Sequence, residues 1–334
     1  MHLPFPRGPV TTMLAERLTR PPHEFRPPPL SGDAALADED EQLALFICYE
    51  LHYQGFSEVN DRWEWEPSLL ATRQVLERRF TYALTEAVAR PAVPASTHIR
   101  RALSELVAAA DEAPSLAAFL EKKADATQFR EFIAHRSIYH LKEADPHTWG
   151  IPRLTGKAKA ALVEIQADEY GGGSLDRMHS ELFRATMRGL GLDDTYGAYV
   201  NRVPALTLAA ANVISLFGLH RRHRGALLGH LAAFEMTSSL PNQKYARGLR
   251  RLGGDESACR FFEEHVQADA VHEQIAAHDM CGGFAEAHPE LAGDILYGAA
   301  CALFLDRLFS DHLLDAWARG TTSLLEEASP VGGP

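Results

Sequence analysis

The chain has 334 residues, 46% of them hydrophobic, enough apolar material for a substantial core, which excludes disorder as its main state. Its net charge of −12, from 45 acidic against 33 basic residues, excludes a nucleic-acid partner, because phosphate binding needs a basic surface. Cys48, Cys259, Cys281 and Cys301 lie far apart without CxxC spacing, so neither a zinc cluster nor a disulfide framework is indicated, and a reducing cytoplasm is the expected compartment.

In chain order, residues 1–35 are dense in proline, which resists helix, and are expected to be a disordered tail or draped arm. The opening lacks the apolar core of a signal peptide. Residues 36–124 are expected to hold auxiliary helices: LALFICYELHYQGF and LLATRQVLERRFTYALTEAVA carry apolar residues at three- and four-residue steps before Pro91 and Pro94. HIRRALSELVAAADEAPSLAAFLEKKA follows, as a helix ending near Asp111 and a restart at Pro114. ELHYQGF and DRWEWEP are read as core packing and turn formation, with a lid or pocket wall as the functional alternative.

Residues 125–322 form a series of long helical segments, and 323–334 a flexible C-terminus. Breakers are expected at Pro146, Pro152, Gly171 to Gly173, Gly191, Pro204, Pro241, Gly253 to Gly254 and Gly282 to Gly283. The longest apolar run, Val203 to Leu219, is short and interrupted by Pro204 and Asn212, so no membrane segment is expected. Arg221 to Arg224 is read as a solvated turn at a helix start rather than an anion-holding patch. With no alternating strand and no fixed repeat, an all-α bundle follows.

Within EEHVQADAVHEQIAAH, His265, Asp269 and His272 fall at about 0°, 40° and −20° around a helix, so two imidazoles and a carboxylate leave one face. That donor set suits iron, manganese or zinc, and such a stripe closes around metal with carboxylates from facing helices. Glu235 stands in an apolar stretch, where a bare charge is costly unless a cation neutralises it; an Arg partner or a cap is the ordinary alternative. Glu169 and His179 bracket three glycines. On a straight helix they would stand about 15 Å apart, so the glycines must bend the chain for both to reach one cluster. A solvated helix end is the plainer reading of Asp168 and Glu169. Glu143, close to Asp145 and His147, ends a helix before Pro146 and serves equally well as a cap. His135 and His140 are read as core or surface residues outside the site. Tyr139 and Tyr170 are candidates for hydrogen bonds to ligands.

Taken together, Glu143, Glu169-x9-His179, Glu235 and His265-x3-Asp269-x2-His272 resemble the heme-oxygenase-like diiron oxidases and oxygenases, over residues 125 to 320 approximately. HRSIYHLKEADPH, EIQADEYGGG and GHLAAFEMTSS are similar to stretches of bacterial proteins described as iron-containing redox enzymes. The resemblance implies a heme-oxygenase-like bundle, shared with thiaminase and pyrroloquinoline-quinone synthase. It implies Glu169, His179, Glu235, His265, Asp269 and His272 as ligands to two ferrous ions, with Glu143 an additional carboxylate used by some members. The gap between Glu169 and His179 is wider than in several relatives, which leaves Asp176 as an alternative. Dioxygen is the implied cosubstrate. The implied chemistry is a peroxo-diferric species that abstracts hydrogen from carbon or oxygenates an amine, on a small amine, amino acid or fatty acid. A homodimer and an external electron donor are the expected partners. Two rivals stand beside this reading. One is a metal-independent enzyme of the thiaminase or quinone-synthase type using Glu235 and histidines as acid and base, or Cys281 as nucleophile. The other is a non-enzymatic helical protein that binds a ligand or a structural metal.

Overall fold

Apolar residues at helical spacing build helices along the chain, and no strand occurs among the described residues. The computed structural model describes residues 1–30, 36–92, 98–110 and 115–326, apart from the side chains of residues 269 and 270. The expected break at Pro94, the helix end near Asp111, the restart at Pro114 and the loose terminus beyond residue 326 lie outside the described residues. The helices are α1 Pro9–Leu18, α2 Glu39–Glu50, α3 Pro67–Ala87, α4 Ile99–Ala110, α5 Leu116–Lys122, α6 Ala126–His140 and α7 Asp145–Thr148. They continue with α8 Gly156–Glu169, α9 His179–Gly189, α10 Ala205–Leu219, α11 Arg224–Arg251, α12 Glu256–Gln274, α13 Gly283–Ala287 and α14 Ala292–Ala318. Side chains set several starts. The Asp38 carboxylate accepts from Glu41 N at 2.8 Å, Asp255 accepts from Ala258 N at 2.8 Å, and Asp125 with Gln128 forms a reciprocal capping box on α6.

Three apolar clusters fill the interior. The first joins α1, α2 and α3 to α10 and α14; the second lies among α5, α6, α9, α11 and α12; the third among α4, α8, α11 and α14. Helices α11 and α14 cross closely because both carry glycine at the crossing. A Cβ on Gly229 would fall 1.8 Å from the Ile295 carbonyl oxygen, and one on Gly298 2.0 Å from that of Ala226.

Four expectations need correction. The proline-rich opening is not a disordered tail but lies packed along the core as an arm, and it contains α1, because Pro9 sits in its first turn, where no amide donor is needed, and Leu14 and Leu18 are fully buried. Pro241 does not end a helix: α11 runs through it, held by buried Ala232 and Ala233 before it and Tyr245, Ala246 and Leu249 after it. The pair Gly282 and Gly283 does not break the chain either, since α12 passes into a π-helical turn, Ile275–Gly282, that continues into α13. Residues 323–326, expected to be flexible, are docked: Ser323 is buried and its amide donates to Glu131 Oε2 at 2.8 Å. ELHYQGF and DRWEWEP anchor through Glu50 and Trp63, both fully buried, while Trp65 is exposed, and neither segment lines the large cavity beside Glu143 and Glu235.

Candidate metal centre

Five segments bring acids and imidazoles to one buried place: the turn after α6, the end of α8, the start of α9, the middle of α11 and α12. The glycine run does what the sequence required of it. Gly171, Gly172 and Gly173 have φ of 63°, 60° and 81°, and the turn folds α9 back so that His179 Nδ1 stands 2.9 Å from Glu169 Oε2. A Cβ on Gly171 would lie 2.5 Å from the carbonyl carbon of Arg177, so the return is too tight for any other residue. Asp176 is exposed and accepts from Ser174 Oγ, away from the cluster.

One donor atom from each of Glu143, Glu169, His179 and His265 lies within 4.8 Å of the others. A second group, Glu169, Glu235 and His272, meets the same limit, so Glu169 belongs to both. All six residues are buried. The stripe on α12 therefore divides, His265 facing the first group and His272 the second. Asp269 lies on the same helix, and its side chain is outside the described residues.

The imidazoles are held in defined tautomers. His265 Nδ1–H donates to the Phe261 carbonyl at 2.9 Å, leaving Nε2 toward Glu143 Oε1, 3.7 Å away. His272 Nε2–H donates to Asp168 Oδ2 at 3.0 Å, leaving Nδ1 toward Glu235 Oε2, 3.4 Å away. Each histidine thus offers the group a lone pair and spends its proton on an acceptor behind it, the arrangement found around metal-ligating imidazoles. His140, which sequence reasoning left out, donates from Nδ1 to Glu143 Oε1 at 2.7 Å. An i, i+3 spacing to Glu143 permits this contact but does not single it out in the sequence.

Four buried atoms converge here without a properly directed hydrogen bond, the close approach of His179 Nδ1 to Glu169 Oε2 included: Glu143 Oε2, Glu169 Oε2, His179 Nδ1 and His272 Nδ1. Buried polar atoms left in this way cost on the order of 1–3 kcal/mol each, and one cation in each of the two groups would satisfy them. The protonation pattern agrees. Burial alone would raise the Glu143 carboxyl, but His140 and His265 beside it hold it well below the usual range. Burial would lower His272; the Glu235 carboxylate facing it, with Asp168 behind, pushes it up to about 9. His179 is likewise lowered by burial and raised further by Glu169, with a net rise.

A cavity of about 1190 Å³ opens onto Glu143, Glu169, Glu235 and His265, with Tyr139 and Phe234 on its wall. Tyr170 is not turned to the cluster; its hydroxyl donates to Asp145 Oδ1 at 2.8 Å. His135 is a core residue bonded to Thr207 and Ser323. Cys281 is fully buried and its thiol is pushed up by burial, which disqualifies it as a nucleophile. Among the described residues no helix is long and apolar enough to cross a membrane.

A family model described as an iron-containing redox enzyme matches residues 130–307. A nitrosourea synthase from Streptomyces achromogenes subsp. streptozoticus is 27% identical over 202 residues, covering 57% of this chain and 41% of that protein. The chain thus spans about two fifths of the length of that relative. The matched region contains every residue of the cluster, and the all-α bundle is the architecture of that family. The chain belongs to the iron-containing redox enzymes, a heme-oxygenase-like family.

Proposed function

We propose that the protein is a nonheme diiron enzyme that activates dioxygen to oxidise or oxygenate a small organic substrate. The observation that carries this reading is the pair of overlapping donor groups sharing Glu169. Glu143, His179 and His265 would hold one iron, Glu235, His272 and Asp269 the other, and Glu169 would bridge them. With Asp269 the set contains four carboxylates, which balance the charge of two ferrous ions in a buried site. When bound, the metal supplies the electrons for dioxygen reduction. His140 keeps Glu143 oriented, and Asp168 keeps His272 oriented and in the metal-binding tautomer. The cavity seats the substrate against the cluster, and Phe234 with neighbouring apolar side chains limits water there. An external electron donor would return the metal to the ferrous state between turnovers. The relative is named for making a nitrosourea, which favours an amine or another nitrogen-bearing compound over a fatty acid as substrate.

Anaerobic loading with ferrous iron should give about two irons per chain. Subsequent exposure to oxygen should give a transient visible absorption, and His265→Ala should abolish it. Iron at background in the parent protein, or iron content unchanged by His265→Ala, would defeat the reading.

A further inference from the structure

Glu143 sits on no helix. Helix α6 ends at His140, and the chain then turns sharply through Ala144, whose φ of 75° makes it the non-glycine residue with positive φ among the described residues. A backbone held in that region costs energy and persists only where the surroundings fix it. Two sets of contacts fix this turn. On one side, Gln166 Nε2 on α8 donates to the Ala144 carbonyl at 2.7 Å, tying the turn to the helix that carries Glu169. On the other, Lys142, next to Glu143, points away into the protein, where Nζ pairs with Glu50 Oε2 at 2.9 Å. Both charges are buried, Glu50 at 0% and Lys142 at 3% exposure. The ammonium also lies 4.3 Å from the Tyr53 ring centroid and 5.2 Å from that of Phe46, and the Tyr196 hydroxyl donates to Glu50 Oε1 at 2.7 Å.

A dry ion pair is a poor stabiliser, because apolar residues of the same shape commonly serve a fold as well or better, but it fixes register with directional contacts. Glu50, Phe46 and Tyr53 lie outside residues 130–307, in the N-terminal part of the chain. We infer that Glu50 and Lys142 are positioning residues through which the N-terminal helices set Glu143 against the first iron subsite. The inference rests on the reading of Glu143 as an iron ligand.

The test compares the two subsites within one protein. Glu50→Gln with Lys142→Met removes both charges, keeps an acceptor for Tyr196 and preserves volume, so the bundle should unfold with a midpoint close to that of the parent. Ferrous titration with Mössbauer spectroscopy should show binding at the Glu143 subsite weakened about tenfold or more, while the Glu235 and His272 subsite is unchanged. Tyr196→Phe, which removes one hydroxyl, should give a smaller shift in the same direction and serves if the double variant fails to fold. Unchanged iron binding in whichever variant folds, or equal weakening at both subsites, overturns the inference. A parent protein that binds no iron would instead overturn the functional proposal itself.

Discussion

His272 shows how one residue links stability to metal binding: its Nε2–H is committed to Asp168, and its Nδ1 is buried with no hydrogen-bond partner. Partners of this kind are typically worth about 10–100-fold in metal affinity, and since the Asp168 side chain is 62% exposed the low end is expected. Asp168→Asn should therefore weaken iron binding about tenfold, measured by competition with a chelator, with helix content unchanged. Equal affinity would show that a solvated carboxylate adds nothing here. His135, away from the centre, governs a different property. It is fully buried, and desolvation, reinforced by His312 and Arg136, lowers it to about 3. The folded protein therefore keeps it neutral while the unfolded chain protonates it below about 6.5. The unfolded state binds more protons in that window, so stability falls as pH falls from 6.5 toward 3, by up to about 1.4 kcal/mol per pH unit. Denaturant unfolding at a series of pH values should show this slope, flattened in His135→Gln; a slope identical in the two proteins would remove His135 as its cause.

Among the elements, the glycine turn between α8 and α9 decides whether Glu169 and His179 can meet. Gly171→Ala places a Cβ against the Arg177 backbone at a φ of 63°, a strain on the order of 1–3 kcal/mol. The turn should open, lowering the unfolding midpoint and weakening iron at both subsites, because Glu169 is common to them; loss confined to one subsite would show that Glu169 does not bridge. The sequence made this turn legible, since only a bend could bring two residues so spaced together. The helices were legible for a related reason: apolar periodicity and caps such as Asp38, Asp125 and Asp255 act locally. Pro241 and the Gly282 and Gly283 pair misled because their penalties are local, whereas buried neighbours on both sides of each hold the chain helical. Helical spacing shows which side chains share a face but not which helix lies opposite, so neither the division of the α12 stripe between two groups nor the pairing of His140 with Glu143 could be read in advance.

For the molecule as a whole, the question is whether residues 1–124 are an accessory or part of the core. Sequence reasoning separated them from the bundle, and the matched family region begins after them. Yet α10 is packed between them and the rest: Leu208, Val213, Ile214 and Phe217 share one cluster with Leu43, Phe46, Ile47 and Trp63. Polar contacts cross the same boundary, with Asn212 Nδ2 donating to the Gln42 carbonyl at 2.9 Å and the Ala205 amide donating to Glu39 Oε1 at 2.8 Å. Uncovering a Leu, Val, Ile or Phe costs about 1.5–3 kcal/mol each. Exposing that face of α10 would therefore cost as much as the whole stability of a typical domain, about 5–15 kcal/mol, before the buried Lys142 is left without Glu50. A protein shortened to residues 125–326 should accordingly fail to unfold cooperatively and should aggregate on expression, whether or not iron is supplied. If that fragment were soluble, cooperatively folded and able to bind iron at the Glu143 subsite as tightly as the full chain, the N-terminal helices would be shown to be dispensable both to the core and to the turn they brace.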